Sequence, residues 1–258
     1  MDLNLSGKRA LITGASRGIG AAIAEVLAEE GCDLDLAARS GPDLKKLAAQ
    51  LGTDYGVNVD VHVVDLRQSH ELDRFAAAVP VPDILINNAG DIPGGPLAAV
   101  DEQTWRHAWE LKVFGYINLT RHLYTRMKTR GHGVIINNIG ASGEGTDANY
   151  IAGSTGNAAL MTFTRALGGR SLADGIRVLG VNPGPVATDR ILTLMKAQAR
   201  ARFGDEDRHS ELTAIFPLGR AATPREIADL IAFLASDRSA YTTGAVFTID
   251  GGVSAAGL

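Results

Sequence analysis

Short runs rich in apolar residues, most of them without regular polar alternation, recur along this chain and break off at turn-forming or polar residues. Residues 10–13 stop at Gly14, 34–38 run into Arg39, 59–64 end at Asp65, 84–86 lead into Asn87, 134–136 into Asn137, and 177–181 end just before Pro183. A last run lies at 246–249. Strands without alternation are buried on both faces, which is the habit of a parallel sheet covered by helices. Between the runs, apolar residues return at helical spacing, as Ile23, Val26 and Leu27 do within 19–30. Further helices are expected at 44–51, 71–79, 149–172 and 224–235, and 102–130 reads as one long helix. Right-handed crossovers then leave a doubly wound α/β fold as the natural topology. No boundary divides the chain, so residues 1–258 are expected to form a single domain. The stretch 189–216, rich in Arg, Lys, Asp and Glu, is too polar for a core element and too helical for a plain loop. It is expected to lie as a lid over the crevice beyond the carboxyl ends of the strands.

Composition narrows the function classes. At 258 residues, with 45% hydrophobic and 21% charged, the chain can bury a large core. A net charge of −4 argues against a broad nucleic-acid footprint. The single cysteine, Cys32, can form neither an internal disulfide nor a thiolate metal site, and reads as a small core residue. His62, His70, His107, His122, His132 and His209 show no ligand spacing, so no metal is expected. No signal region opens the chain and no apolar run reaches the roughly 18 residues of a membrane helix. A soluble, cytoplasmic protein without a membrane partner is the expectation.

The turn Gly14-Ala15-Ser16-Arg17-Gly18-Ile19-Gly20 joins the first strand to the first helix. Glycines let the backbone approach a pyrophosphate, and the helix start offers free N–H groups to it. The spacing Gly-x-x-x-Gly-x-Gly departs from the Gly-x-Gly-x-x-Gly fingerprint, and a flexible strand-to-helix turn is the plainer alternative.

From Thr13 to Gly20 this segment resembles the cofactor motif of the short-chain dehydrogenase/reductase family. Asn87-Asn88-Ala89-Gly90 is similar to the family's next motif, and Asn182-Pro183-Gly184-Pro185-Val186-Ala187-Thr188 to the segment that lines the nicotinamide. Pro217-Leu218-Gly219-Arg220, Tyr241-Thr242-Thr243-Gly244 and Asp250-Gly251-Gly252 also match, so the resemblance spans nearly the whole chain. It implies a Rossmann-type domain with a seven-stranded parallel sheet, a small-molecule substrate, and a homotetramer or homodimer. It further implies that Asp65 bonds the adenine, Asn88 lines the ribose side and Thr188 meets the carboxamide. Leu66, Ala89, Gly90, Pro183, Gly184 and Val186 join the same cofactor-binding set.

At the end of the second strand a carboxylate would bond the ribose 2′-hydroxyl of NAD(H), whereas a cation suits a 2′-phosphate. Here the acid is absent, Arg39 follows, and Arg17 lies in the glycine turn. Guanidinium groups match phosphate well, which favours NADP(H) over NAD(H). Solvated arginines in two loops are the alternative.

The family reaction moves a hydride between nicotinamide and a carbinol or carbonyl carbon while a tyrosine hydroxyl carries the proton. A free tyrosine titrates near about 10 and needs a nearby cation to act as a base at neutral pH. The family supplies a lysine four residues after the tyrosine, a serine that polarises the substrate oxygen, and an asparagine on the preceding helix. Tyr150 fits the tyrosine position, but the fourth residue on is Ser154, and Lys112 stands where the asparagine should be. Counting from the strand puts Gly140 at the serine position; counting back from Tyr150, the loop is a few residues short. Ser142 is the better replacement and Asn138 the lesser one.

Three readings stay open. In the first, Lys112 has taken over the role of the missing lysine, Tyr150 is the acid/base, Ser142 the oxyanion donor and Ser154 a hydrogen-bonding filler. The chain is then an NADP(H)-dependent oxidoreductase acting on a secondary alcohol or ketone. In the second, it is a catalytically silent dinucleotide-binding protein; in the third, a dehydratase or isomerase of the same fold. The substrate pocket is expected from loops 91–97, 142–149 and 189–216. Trp105 and Trp109 read as packing anchors, and Arg121, Arg126, Lys128 and Arg130 as cations answering the carboxyl end of their helix.

Overall fold

Neighbouring residues of a strand point to opposite faces, so each fully apolar run feeds two cores at once. On β1 (Arg9–Thr13), Ile12 packs with the helices of one face and Leu11 with those of the other. The remaining strands are β2 (Asp33–Ala38), β3 (Val59–Val63), β4 (Ile84–Asn87), β5 (Gly133–Asn138), β6 (Ile176–Pro183) and β7 (Val246–Ile249). They form one seven-stranded sheet in the order β3-β2-β1-β4-β5-β6-β7, and every neighbouring pair is parallel. The computed structural model describes residues 2–213 and 216–256, so Met1, 257–258 and, within the expected lid, 214–215 lie outside the described residues.

The helices are α1 (Gly18–Glu29), α2 (Gly41–Tyr55), α3 (Ser69–Ala78), α4 (Glu102–Trp109), α5 (Gly115–Arg130), α6 (Ile151–Ser171), α7 (Asp189–Phe203), α8 (His209–Thr213), α9 (Pro224–Ala235) and α10 (Val253–Ala256). Ile23 and Leu27 of α1, Leu44 and Leu51 of α2, and Ile227 and Ile231 of α9 fill one core. Leu72 and Phe75 of α3, with Leu119 and Leu123 of α5, fill the other. Strand order reverses between β1 and β4, which makes their carboxyl ends the place where such sheets bind ligands.

The stretch 102–130 is not one α-helix. A π-helical turn, Glu110–Phe114, separates α4 from α5, and the N–H of Gly115 reaches back five residues to the carbonyl of Glu110. Within the stretch 189–216, the described residues fold as α7 and α8 with a short helical turn between them, and Met195, Ala199 and Leu212 form a small core of their own. Its charges pair outward: Arg208 meets Glu211 at 2.7 Å and lies over the Phe203 ring. In the basic run on α5, Lys128 and Arg130 lie in the last turn of the helix as expected, and two of the arginines also reach across to neighbouring carbonyls. Arg126 donates to the carbonyls of Ala76 and Val79 at the end of α3, and Arg130 to those of Val81 and Pro82. Cys32 is buried, and burial pushes its thiol up to about 12. Among the described residues no helix is long and apolar enough to cross a membrane, and no group of three or more His, Cys, Asp or Glu could hold a metal ion.

Two polar groups are buried and fully engaged. Arg177 on β6 donates to the carbonyls of Leu234, Ala235 and Ser236, and to the Ser239 hydroxyl, closing the carboxyl end of α9. Removing the guanidinium would strand those acceptors away from water. Arg177→Met is expected to cost about 2–4 kcal/mol in urea unfolding. Asp35 on β2 is wholly buried between Arg9 and His62, with a 2.7 Å contact to His62. Burial alone would raise its carboxyl, but hydrogen bonds from His62 and Arg9 outweigh that and hold it below the usual 3.8. Its stabilising contribution is therefore complete above the unfolded value and fades as pH falls through the lower folded one. Unfolding free energy measured against pH should fall below about pH 4, and Asp35→Asn should flatten that acid limb.

Candidate active site

The turn after β1 and the loop after β4 meet at the switch point. Thr13 Oγ1 accepts from the backbone N–H of Asn88 at 2.9 Å and of Ala89 at 3.1 Å. The Asn88 amide donates to the carbonyl of Thr13 and accepts from Asn138 Nδ2 at 2.8 Å, which carries the tie on to β5. A Cβ on Gly14 would come within 2.8 Å of the Ala89 Cα, and one on Gly20 would run into the Gly14 carbonyl. These two glycines are needed for close packing of the turn itself. The helix that follows, α1, begins with no side-chain cap and no acidic residue in its first turn. Its leading N–H groups are thus left for an anion, as a bound pyrophosphate requires.

Ser16 is half-buried and Ile19 lies in the first turn of α1, while Arg17 and Arg39 are both exposed. Gly18 faces the methyl of Thr188, at the start of α7. Asp65 is half-buried, with its carboxylate accepting the backbone N–H of Arg67, and Leu66 beside it is buried. Pro183 and Val186 are buried, and Gly184 donates to the Ile249 carbonyl at 3.0 Å. The cofactor set read from the motifs therefore lies along the carboxyl ends of β1, β2, β3, β4 and β6 and the loops that leave them.

Around the expected catalytic positions, three glycines are each overlain by a neighbouring side chain. Lys112 stands in the π-helical turn, and its ammonium crosses to the carbonyl of Ile139 just beyond β5. On the way its stem passes Gly90, where a Cβ would meet the Lys112 Cδ at 3.0 Å. Tyr150 precedes α6, and its ring lies on Gly153, so that any Cβ there would overlap it. Asn157, one turn beyond Gly153, lays its amide on Gly140, where a Cβ would come within 2.9 Å of Nδ2. Gly140 also has φ +136°, a backbone conformation that a side chain would strain.

Ser142 sits in the short helical turn after Gly140 and accepts from Asn157 Nδ2 at 2.9 Å. Ser154 is buried and turns to the loop before Tyr150, accepting from the backbone N–H of Asp147 at 3.3 Å. Asn138, the lesser candidate, donates its amide nitrogen to Asn88. Trp105 and Trp109 pack with Ile92, Ala108, Ala152 and Tyr150, and Trp109 Nε1 donates to the Ala152 carbonyl at 2.9 Å. Loops 91–97 and 142–149 are joined where Gly95 bridges to Tyr150 and donates to the Asn149 carbonyl.

Comparison with known proteins follows this architecture. Residues 14–254 match the family model described as enoyl-(acyl carrier protein) reductase. The chain is 33% identical over 255 residues to the 3-oxoacyl-[acyl-carrier-protein] reductase FabG of Escherichia coli, covering 97% of this chain and 99% of that protein. This chain belongs to the short-chain dehydrogenase/reductase family. Among solved structures of short-chain enzymes, L-sorbose reductase from Gluconobacter frateurii, complexed with NADPH and L-sorbose, superposes with a TM-score of 0.90 at 33% identity. That match covers 97% of this chain and 98% of the other. An actinorhodin polyketide ketoreductase with NADPH gives 0.90 at 30% identity over 96% of this chain and 97% of the other. Like these relatives, the chain is a short-chain oxidoreductase.

Gly153 and Asn157 were not among the residues singled out from the sequence. The signal was present: their spacing is the one-turn interval sought between tyrosine and lysine, displaced three residues along the helix. Replacing Gly153 by alanine should force the Tyr150 ring off α6. Overpacking of this kind costs about 1–3 kcal/mol, to be read in urea unfolding of Gly153→Ala.

Proposed function

We propose that this short-chain oxidoreductase transfers a hydride between NADP(H) and a secondary alcohol or ketone, with Tyr150 as acid/base and Lys112 as the relocated cation. The observation that carries this reading is the course of Lys112. Instead of projecting into solvent, its stem lies along Gly90 and its ammonium bonds the Ile139 carbonyl at the edge of β5. A charge taken from water into such a place is costly without a purpose. Positive charge in this crevice favours the phenolate form of a tyrosine, which is what a base at neutral pH requires.

The glycine turn, Asn88, Ala89, Gly90, Asp65 and Leu66, with the 183–188 segment, would hold the dinucleotide. The bound nicotinamide supplies the hydride or takes it up. Tyr150 gives the proton to the forming alkoxide, or removes it from the alcohol in the reverse direction. The Ser142 hydroxyl donates to the substrate oxygen, where charge develops. Ser154 holds the loop before Tyr150 through Asp147. Arg17 and Arg39 are the cations for the 2′-phosphate. Two of the solved relatives carry NADPH, which agrees with that choice, NAD(H) being the weaker cofactor. The joined loops 91–97 and 142–149, with 189–216 as a lid, bound the substrate pocket of this single-domain chain. A cytoplasmic homodimer or homotetramer completes the reading, to be checked by light scattering.

Oxidation of NADPH by a panel of ketones, followed at 340 nm, tests the reaction. Lys112→Ala and Tyr150→Phe are each expected to lower kcat by about 100-fold or more. Unchanged turnover in Lys112→Ala removes the relocated cation, and NADPH binding without oxidation by any ketone points to the silent protein. Arg39→Ala and Arg17→Ala should weaken NADPH binding about tenfold each while leaving NADH binding unchanged. Equal losses for both nucleotides would show that the arginines do not read the phosphate.

A further inference from the structure

We propose that Asn157 is a positioning residue: it commits Ser142 to donate its hydroxyl hydrogen to the substrate oxygen. The inference rests on the reading of Ser142 just given.

Asn157 stands at the meeting point of the site. It lies on α6 one turn after Gly153, the glycine that bears the Tyr150 ring. Its amide covers Gly140, the neighbour of the Ile139 carbonyl that takes the Lys112 ammonium. A serine at position 140 would have begun its side chain there. The Asn157 amide fills that volume and passes the hydroxyl function two residues on, to Ser142.

The direction of the bond between them matters. Nδ2 of an asparagine carries only donors, so at 2.9 Å it must donate and Ser142 Oγ must accept. A hydroxyl that accepts in this way keeps its own hydrogen for another acceptor. Without Asn157, the Ser142 hydroxyl could equally well present a lone pair to the substrate, which repels a forming alkoxide. The other half of the amide argues against mere packing. Asn157 is 2% exposed, and its Oδ1 has no hydrogen-bond partner among the described residues. A buried acceptor left open is a cost that an apolar residue of similar size would avoid. It persists because the donor end of the same amide is needed.

The substitution that separates this role from packing is Asn157→Asp, nearly the same in shape but reversed in bonding at neutral pH. A carboxylate only accepts, so Ser142 must donate to it and can no longer donate to substrate. We expect kcat to fall about 100-fold with NADPH binding unchanged. Activity should then recover on acidification, as the carboxyl gains a proton it can donate; the wild type has no such limb. Ser142→Ala should lose as much, and the double variant Ser142→Ala with Asn157→Ala should be no slower than Ser142→Ala alone. Additive losses, or wild-type kcat in Asn157→Asp, would overturn the assignment. A readout free of turnover covers a variant that folds poorly. The side-chain amide signal of Asn157 in ¹⁵N-labelled protein, identified by its absence in Asn157→Asp, should shift in Ser142→Ala. An unmoved signal overturns the contact. A responsive signal in a protein that oxidises NADPH with no ketone leaves the contact standing and locates the failure in the reaction itself.

Discussion

The Thr13 hydroxyl takes the backbone N–H groups of Asn88 and Ala89, and on this clamp the geometry of the whole crevice depends. It binds the ends of two strands that are neighbours in space but some seventy residues apart in sequence, at the point where the strand order reverses. Asn88 extends the clamp to β5 through Asn138, and below it Asn87 bonds Asn137 and Thr120, while Asn137 bonds Thr164. Sheet, α5 and α6 are thereby held by one buried polar network. Such networks specify a unique arrangement when their donors are satisfied, which a ligand crevice needs more than it needs raw stability.

Much of the fold was readable because its cause is simple. Strands buried on both faces must be largely apolar, so β1, β4 and the middle of β6 announced themselves. The π-helical turn was not readable. It depends on the packing of Gly115 and on what Lys112 and Trp109 find across the chain, and none of that has a local signature. The same holds for Arg126 and Arg130, whose partners lie on α3 and the loop after it rather than on their own helix.

The site divides along the same line. The expected cofactor motifs are contiguous, so the family resemblance marked them in the sequence. Around the proposed catalytic site, side chains lie over the space of glycines elsewhere: Lys112 over Gly90, Tyr150 over Gly153, Asn157 over Gly140. Reading residues by position expects a function at the position itself. Here a glycine stands at the place and a neighbouring side chain fills the volume, a pairing that no local spacing shows.

The turn at Glu110–Phe114 carries one more consequence. A π turn inserts a residue into the helical count, so α4 and α5 run on nearly one line but out of phase with each other. Trp109 can therefore address α6 while Leu119 and Leu123 address the sheet, an arrangement that one continuous helix would not allow. The extra residue works as a gear between two surfaces. It lets the side of α4 that meets α6 and the side of α5 that meets the sheet be set separately, with Lys112 mounted on the turn between them.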